Sequence, residues 1–108
     1  MLTICIPIYN YDSIRLISDL NNQADNLECP VEIVVINDGS KPEFNNLYNC
    51  LVSPIIRYIS LPQNIGRAKV RNLFVSFAKY DYLLFLDCDD KIIADHYLKQ
   101  YISQIFLG

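Results

Sequence analysis

Four short apolar runs punctuate the chain: Leu2–Ile8, Val31–Ile36, Ile55–Ser60 and Tyr82–Asp87. They are rich in β-branched residues and bounded by Asn, Asp, Gly and Pro, so they predict strands. Three of them are nearly continuous rather than alternating, which predicts strands buried on both faces. Between and after them the apolar residues take up helical spacing. Ile14, Ile17 and Leu20 share one face of a helix that Asp12 or Ser13 can cap. Ser40 and Glu43 have capping-box spacing, Pro42 falls in the first turn, and Phe44, Leu47 and Leu51 extend a short second helix. Val70, Leu73, Phe74 and Phe77 line a third helix that starts at Arg67. Asp95 can cap a fourth, with Leu98, Ile102, Ile105 and Phe106 on one face and His96 exposed at its start. Strand and helix alternate throughout. The expected class is therefore α/β, a mostly parallel open sheet with helices on both faces, as one domain over residues 1–108.

Composition narrows the function. The chain is 52% hydrophobic and 19% charged, which excludes a disordered segment. Its net charge is −3 and it has no basic run, so a nucleic-acid partner is not expected. The one cluster of cations, Arg67, Lys69 and Arg71, suits a small anionic ligand. Cys5, Cys29, Cys50 and Cys88 lack the spacing of a zinc site. No apolar stretch approaches the ~20 residues of a membrane-spanning helix. The opening MLTICIPIYNYD has no basic region, and Pro7 interrupts its apolar run, so no signal peptide is expected. A reduced, cytoplasmic setting follows, either free or peripheral at the inner face of the membrane.

In open α/β sheets ligands bind beyond the carboxyl ends of the strands. Those ends are where the polar residues fall: Tyr9-Asn10, Asn37-Asp38, Asn64-Ile65-Gly66 and Asp87-Cys88-Asp89-Asp90. If the fourth strand stays extended, Asp87 and Asp89 point to one side. Two carboxylates so placed repel each other, and a hard divalent cation removes that penalty. The same acids also read as a turn before the last helix. Asp38 reads either as an Asx-turn beside Gly39 or as an acceptor for a base N–H. Arg67 and Arg71, one helical turn apart, read either as a solvated face or as counter-charges for a diphosphate at the helix N-terminus.

Together these segments resemble family 2 glycosyltransferases of the GT-A fold. TICIPIYN is similar to that family's opening strand, VVINDGS to its second-strand motif, and NIGRAKVRN to its Asn-x-Gly-x-x-x-x-Arg-Asn helix start. LLFLDCDD is similar to the strand that carries its Asp-x-Asp metal motif. The resemblance implies a Rossmann-like nucleotide-sugar-binding half, with Pro7 and Tyr9 at the base and ribose and Asp38 on the base. It places Arg67 and Arg71 beside the nucleotide. Asp87 would meet the ribose or metal-bound phosphates, Asp89 would ligate Mn²⁺ or Mg²⁺, and Asp90 is a further candidate ligand beside them. The implied partner is a nucleoside-diphosphate sugar, with UDP favoured. Against the family the chain reads as truncated. The acceptor pocket and the general base are expected in the absent half, with no catalytic residue within residues 1–108. The fragment alone is then expected to bind nucleotide, to transfer little sugar, and to self-associate through the surface so exposed.

Other readings fit less well. A phosphatase of the haloacid dehalogenase type carries Asp-x-Asp after its first strand, not its fourth. A receiver domain needs an acidic pair after strand one, where only Asp12 stands. Dinucleotide and P-loop sites need a glycine-rich turn, and the chain has three glycines in all. The non-enzyme alternative is a degenerate fragment or interaction module that keeps the fold without binding a ligand.

Overall fold

A computed structural model describes residues 1–89 and 97–107, with residues 104–107 described by their backbone alone. The elements are β1 (Leu2–Ile8), α1 (Ile14–Asp25), β2 (Val31–Asn37), α2 (Pro42–Asn45), β3 (Ile56–Ser60), α3 (Arg67–Phe77), β4 (Tyr82–Phe85) and α4 (Tyr97–Leu107). A 3₁₀ turn over Asn46–Cys50 follows α2. The four strands form one parallel sheet in the order β3-β2-β1-β4. Leu2 of β1 pairs with both Val31 and Tyr82, so the first strand lies inside the sheet beside β2.

Alternation along the strands sorts the core into two layers. Leu2, Ile4, Ile6 and Ile8 of β1, with Ile33 and Val35 of β2, pack among Leu16, Ile17 and Leu20 of α1 and Leu98 and Ile102 of α4. Cys5, Val34 and Ile36 on the other face pack with Val70 and Phe74 of α3. Complete burial of each such Leu or Ile contributes about 1.5–3 kcal/mol. The α/β class expected from the sequence is the class observed.

The amino end of the sheet is closed by a polar cluster. Glu32 Oε2 accepts hydrogen bonds from Thr3 Oγ1 at 2.8 Å and from the Lys79 amide at 2.6 Å. Arg57 Nε lies 3.5 Å from Glu32 Oε1, and an Arg57 guanidinium nitrogen donates to the Phe77 carbonyl. The Tyr80 amide donates to Thr3 Oγ1 at 3.3 Å. These bonds tie the chain that leaves α3 to β1, β2 and β3.

Local expectations need correction in two places, the second helix and the end of β4. The second helix is a single α turn with Lys41 rather than Ser40 at its N-cap. The Ser40 hydroxyl serves Asn10 and Asn37 instead. The 3₁₀ turn then turns Tyr48, not Leu47, into the core: three residues per turn displace the face that α-helical spacing would bury. At α1, where either Asp12 or Ser13 was expected to cap, Ser13 holds the N-cap position and Asp12 Oδ1 accepts from the Ile14 amide at 3.0 Å. The paired part of β4 stops at Phe85, Leu86 keeps one bond to the Cys5 carbonyl at 3.0 Å, and the chain turns at Cys88 and Asp89. Asp87 and Asp89 are therefore brought together by a loop, not by strand alternation. Asp90, Asp95 and His96 lie outside the described residues, as do the side chains of Ile105 and Phe106.

Candidate functional site

A cleft of about 500 Å³ lies across the carboxyl ends of the strands. Its floor includes Pro7 and Ile8 where β1 ends. Beyond them Tyr9 and Tyr11 stand 53% and 42% exposed and form an aromatic wall. Asn10, between them, has φ 50°, a left-handed conformation that Asn tolerates better than most residues. Its neighbours hold it there. Its amide donates to Ser40 Oγ at 2.8 Å, and its Oδ1 accepts from the Lys41 amide at 2.8 Å. The Tyr48 hydroxyl donates to the Tyr11 carbonyl at 2.6 Å and accepts from the Ser13 amide at 2.9 Å. Tyr48 stacks on Tyr58 with ring centroids 5.2 Å apart, and the Tyr58 hydroxyl receives Asn37 Nδ2 at 2.9 Å and reaches Asn45 Oδ1. Burial pushes both phenols above their ordinary range, which keeps them as hydroxyls able to donate.

Asp38 forms the next part of the wall and is buried. Its Oδ1 accepts from the Ile65 amide at 2.7 Å. Its Oδ2 accepts from the Gly66 amide at 3.1 Å and from Asn64 Nδ2 at 3.0 Å. Beside it Gly39 has φ 65°, and a Cβ there would stand 2.3 Å from the Asn64 amide nitrogen. Only glycine lets the two loops meet this closely.

Gly66, at φ 91°, is the N-cap of α3, and Arg67 follows it into the cleft. The helix start adds partial positive charge from the dipole and the first-turn amides. Arg71, one turn on, does not line this cleft. Its guanidinium lies over the Phe85 ring, 4.4 Å from the centroid. It lines an adjoining recess of about 230 Å³, which shares Pro7, Arg67, Val70 and Asp87 with the cleft.

Opposite the helix start stands the loop Asp87-Cys88-Asp89. The Ser13 hydroxyl donates to the Cys88 carbonyl and so fixes this loop to the start of α1. Burial, then the charge of Asp89, pushes the Cys88 thiol up, which leaves it a neutral wall group at ordinary pH. Among the described residues no three acidic, His or Cys side chains gather into a complete metal cage. The two exposed acids offer hard oxygen donors only. Such a pair suits Mg²⁺ or Mn²⁺ shared with a phosphate rather than held by protein alone.

Of the residues expected from the sequence, Pro7, Tyr9, Asp38, Arg67, Asp87 and Asp89 line one cleft. Arg71 stands in the recess beside it, and Asp90 lies outside the described residues. Sequence reasoning missed Tyr11, whose signal was its place two residues after Tyr9 at a strand end. It placed Asn10 and Asn37 at the rim but missed the frame they form with Ser40, Tyr48 and Tyr58, whose partners are distant in sequence.

Known proteins share this fold. The glycosyl transferase family 2 model matches residues 3–105. An uncharacterized glycosyltransferase of Haemophilus influenzae is 31% identical over 105 residues, which is 93% of this chain and 40% of the relative. The poly-beta-1,6-N-acetyl-D-glucosamine synthase of Staphylococcus epidermidis is 30% identical over 87 residues, covering 79% of this chain and 21% of that protein. The crystal structure of S. aureus TarS 1-349 in complex with UDP superimposes with a TM-score of 0.69 at 27% identity, over 97% of this chain and 32% of that one. A mannosyltransferase of Pyrobaculum calidifontis, in complex with GDP-Man and Mn²⁺, shares the fold with a TM-score of 0.71 at 17% identity. The chain spans well under half the length of each of these relatives. With the family model matched over nearly its whole length, the chain belongs to glycosyl transferase family 2.

Proposed function

We propose that residues 1–108 form one donor-binding unit that holds a nucleoside-diphosphate sugar, UDP-linked in preference to other nucleotides, for transfer to an acceptor hydroxyl. The observation that carries this reading is convergence. An aromatic wall, a buried carboxylate, a helix N-terminus with Arg67, and an exposed acid pair all face one cleft. A nucleoside diphosphate asks for the same set: a stacking surface, an acceptor for a base N–H, and positive charge and a cation for the phosphates. TarS, which is similar over nearly the whole chain, has been crystallised with UDP and with UDP-GlcNAc.

In this reading Tyr9 and Pro7 border the base and ribose, and Asp38 turns its remaining acceptor capacity to the base. Arg67, with Arg71 behind it, lies beside the nucleotide, and the start of α3 meets the diphosphate. Asp89, with Asp87, would hold Mn²⁺ or Mg²⁺, and a bound cation would stabilise negative charge on the departing diphosphate. The bond from the anomeric carbon to the diphosphate breaks as the acceptor oxygen bonds to that carbon, and the acceptor proton passes to a base. We place that base, and the acceptor pocket, outside these residues. The chain alone then binds donor, transfers little sugar, and tends to self-associate; we place it in the cytoplasm. Among the described residues no helix is long and apolar enough to cross a membrane.

Calorimetric titration with UDP, with and without Mn²⁺, tests the reading. Binding that needs Mn²⁺ and weakens about thirtyfold in Asp89→Ala is expected. A folded chain that binds no nucleotide under either condition would overturn it and leave a family fold without a ligand.

A further inference from the structure

We infer that Asp38 is a positioning residue: it builds the phosphate end of the cleft by holding the loop that aims α3. The inference rests on the donor-site reading above and assigns Asp38 a task apart from touching the base. An ionised carboxylate has roughly four lone-pair sites. Three are taken by Asn64 Nδ2, the Ile65 amide and the Gly66 amide, at 3.0, 2.7 and 3.1 Å. Asn64 Nδ2 also reaches the Asp38 carbonyl at 3.3 Å. Bonds to an ionised acceptor are the stronger kind.

The three donors are the residues immediately before Arg67, the first residue of α3. Gly66 has no Cβ to restrict it at φ 91°, and nothing within 4 Å would meet a Cβ there. Local sterics therefore leave the approach to the helix loose, and Asp38 supplies the constraint. Asp38 is itself anchored, because its amide donates to the Ile8 carbonyl at 2.7 Å, next to Tyr9. A fixed line thus runs from the aromatic wall through Asp38 to the helix start. The Gly66 amide is spent on Asp38. The N–H groups left without helical partners for a phosphate are therefore those of Arg67, Ala68 and Lys69. Their direction depends on the Asp38 bonds.

The test compares uridine with UDP, both with Mn²⁺, on the wild-type chain, Asp38→Asn and Asn64→Ala. Asp38→Asn keeps the shape but turns an NH₂ toward amide donors. Its uridine affinity should fall by no more than about threefold while its UDP affinity falls by about thirtyfold, so the gain from the diphosphate shrinks about tenfold. In ¹⁵N–¹H spectra the Ile65 and Gly66 amides should shift, and those of Arg67–Lys69 should follow. Asn64→Ala removes one donor and tolerates folding better; it should move both readouts the same way by a smaller amount. Uridine and UDP weakened by equal factors, with those amides unmoved, would overturn the inference and make Asp38 a base ligand alone. A wild-type chain that binds uridine but gains nothing from the diphosphate would also overturn it. A folded wild-type chain that binds neither overturns the donor reading instead.

Discussion

A buried carboxylate stands near each end of β2, Glu32 within the strand and Asp38 just past it, and each grips the chain on one side of α3. Asp38 takes the amides that lead into the helix, and Glu32 takes the Lys79 amide just after it. The electrostatics of the two ends differ. A carboxylate at a helix N-terminus is favoured by the dipole, and one at the C-terminus is disfavoured. Arg57 offsets the second case: it pairs with Glu32 and donates to the Phe77 carbonyl in the last turn of α3. The Glu32 end is thereby sealed, with Thr3 and Arg57 around the carboxylate. The Asp38 end needs no cation of its own and opens onto the cleft. Two acids of similar burial thus divide the work, one closing the sheet and the other shaping a site.

Four experiments would break or sharpen that contrast. The largest effect is expected from Glu32→Ala, which strips acceptors from Thr3 and Lys79 and leaves Arg57 unpaired. Urea titration should show a loss of about 3 kcal/mol in stability, with UDP affinity kept by the folded fraction. Asp89→Ala should do the reverse. Its stability should stay within about 0.5 kcal/mol of wild type. Its Mn²⁺-dependent UDP affinity should fall about thirtyfold, or about 2 kcal/mol. Ser13→Ala lies between these, because it frees the Cys88 carbonyl that steadies the acidic loop. A stability loss of about 1 kcal/mol is expected, together with weaker Mn²⁺-dependent binding. A variant that lost stability alone would detach Ser13 from the site.

The smallest effect concerns thiols on the α3 side of the sheet. Burial pushes the Cys5 thiol up from 9.0 to about 12. A thiol-specific reagent at pH 8 should label exposed Cys50 first and Cys5 only on unfolding. Because the folded pKa is the higher one, Cys5 favours the native state fully below about pH 9. That contribution declines as pH rises from about 9 toward 12. Cys5→Ala should therefore flatten the alkaline limb of a stability–pH curve, and an unchanged limb would refute this assignment.

The strands were legible because continuous β-branched runs such as Val31–Ile36 have few other uses. The rim of the site was legible because open parallel sheets gather polar residues at one end. The second helix was misread because Ser40 and Glu43 satisfied a local rule while Asn10 and Asn37 competed for the Ser40 hydroxyl. Leu47 and Tyr48 exchanged places for a related reason. The tyrosine could bury its ring and still satisfy its hydroxyl at Ser13 and Tyr11, contacts that no spacing rule foretells. Asp38 was placed at the rim and does line the cleft, but its grip on residues 64–66 spans an interval that sequence patterning does not see. Arg71 had helical register with Arg67, yet the aromatic face of Phe85 drew it out of the main cleft.

The interior place of β1 also bears on the order of assembly. Of these four strands β1 is made first, and it pairs on one side with Val31–Asn37 and on the other with Tyr82–Phe85. A nascent chain can join β1, β2 and β3 early, but it carries one flank of β1 open until β4 has been made. Pairings that distant in sequence close slowly. During that interval the bare edge of β1 is the part of the growing polypeptide most in need of shielding from other chains.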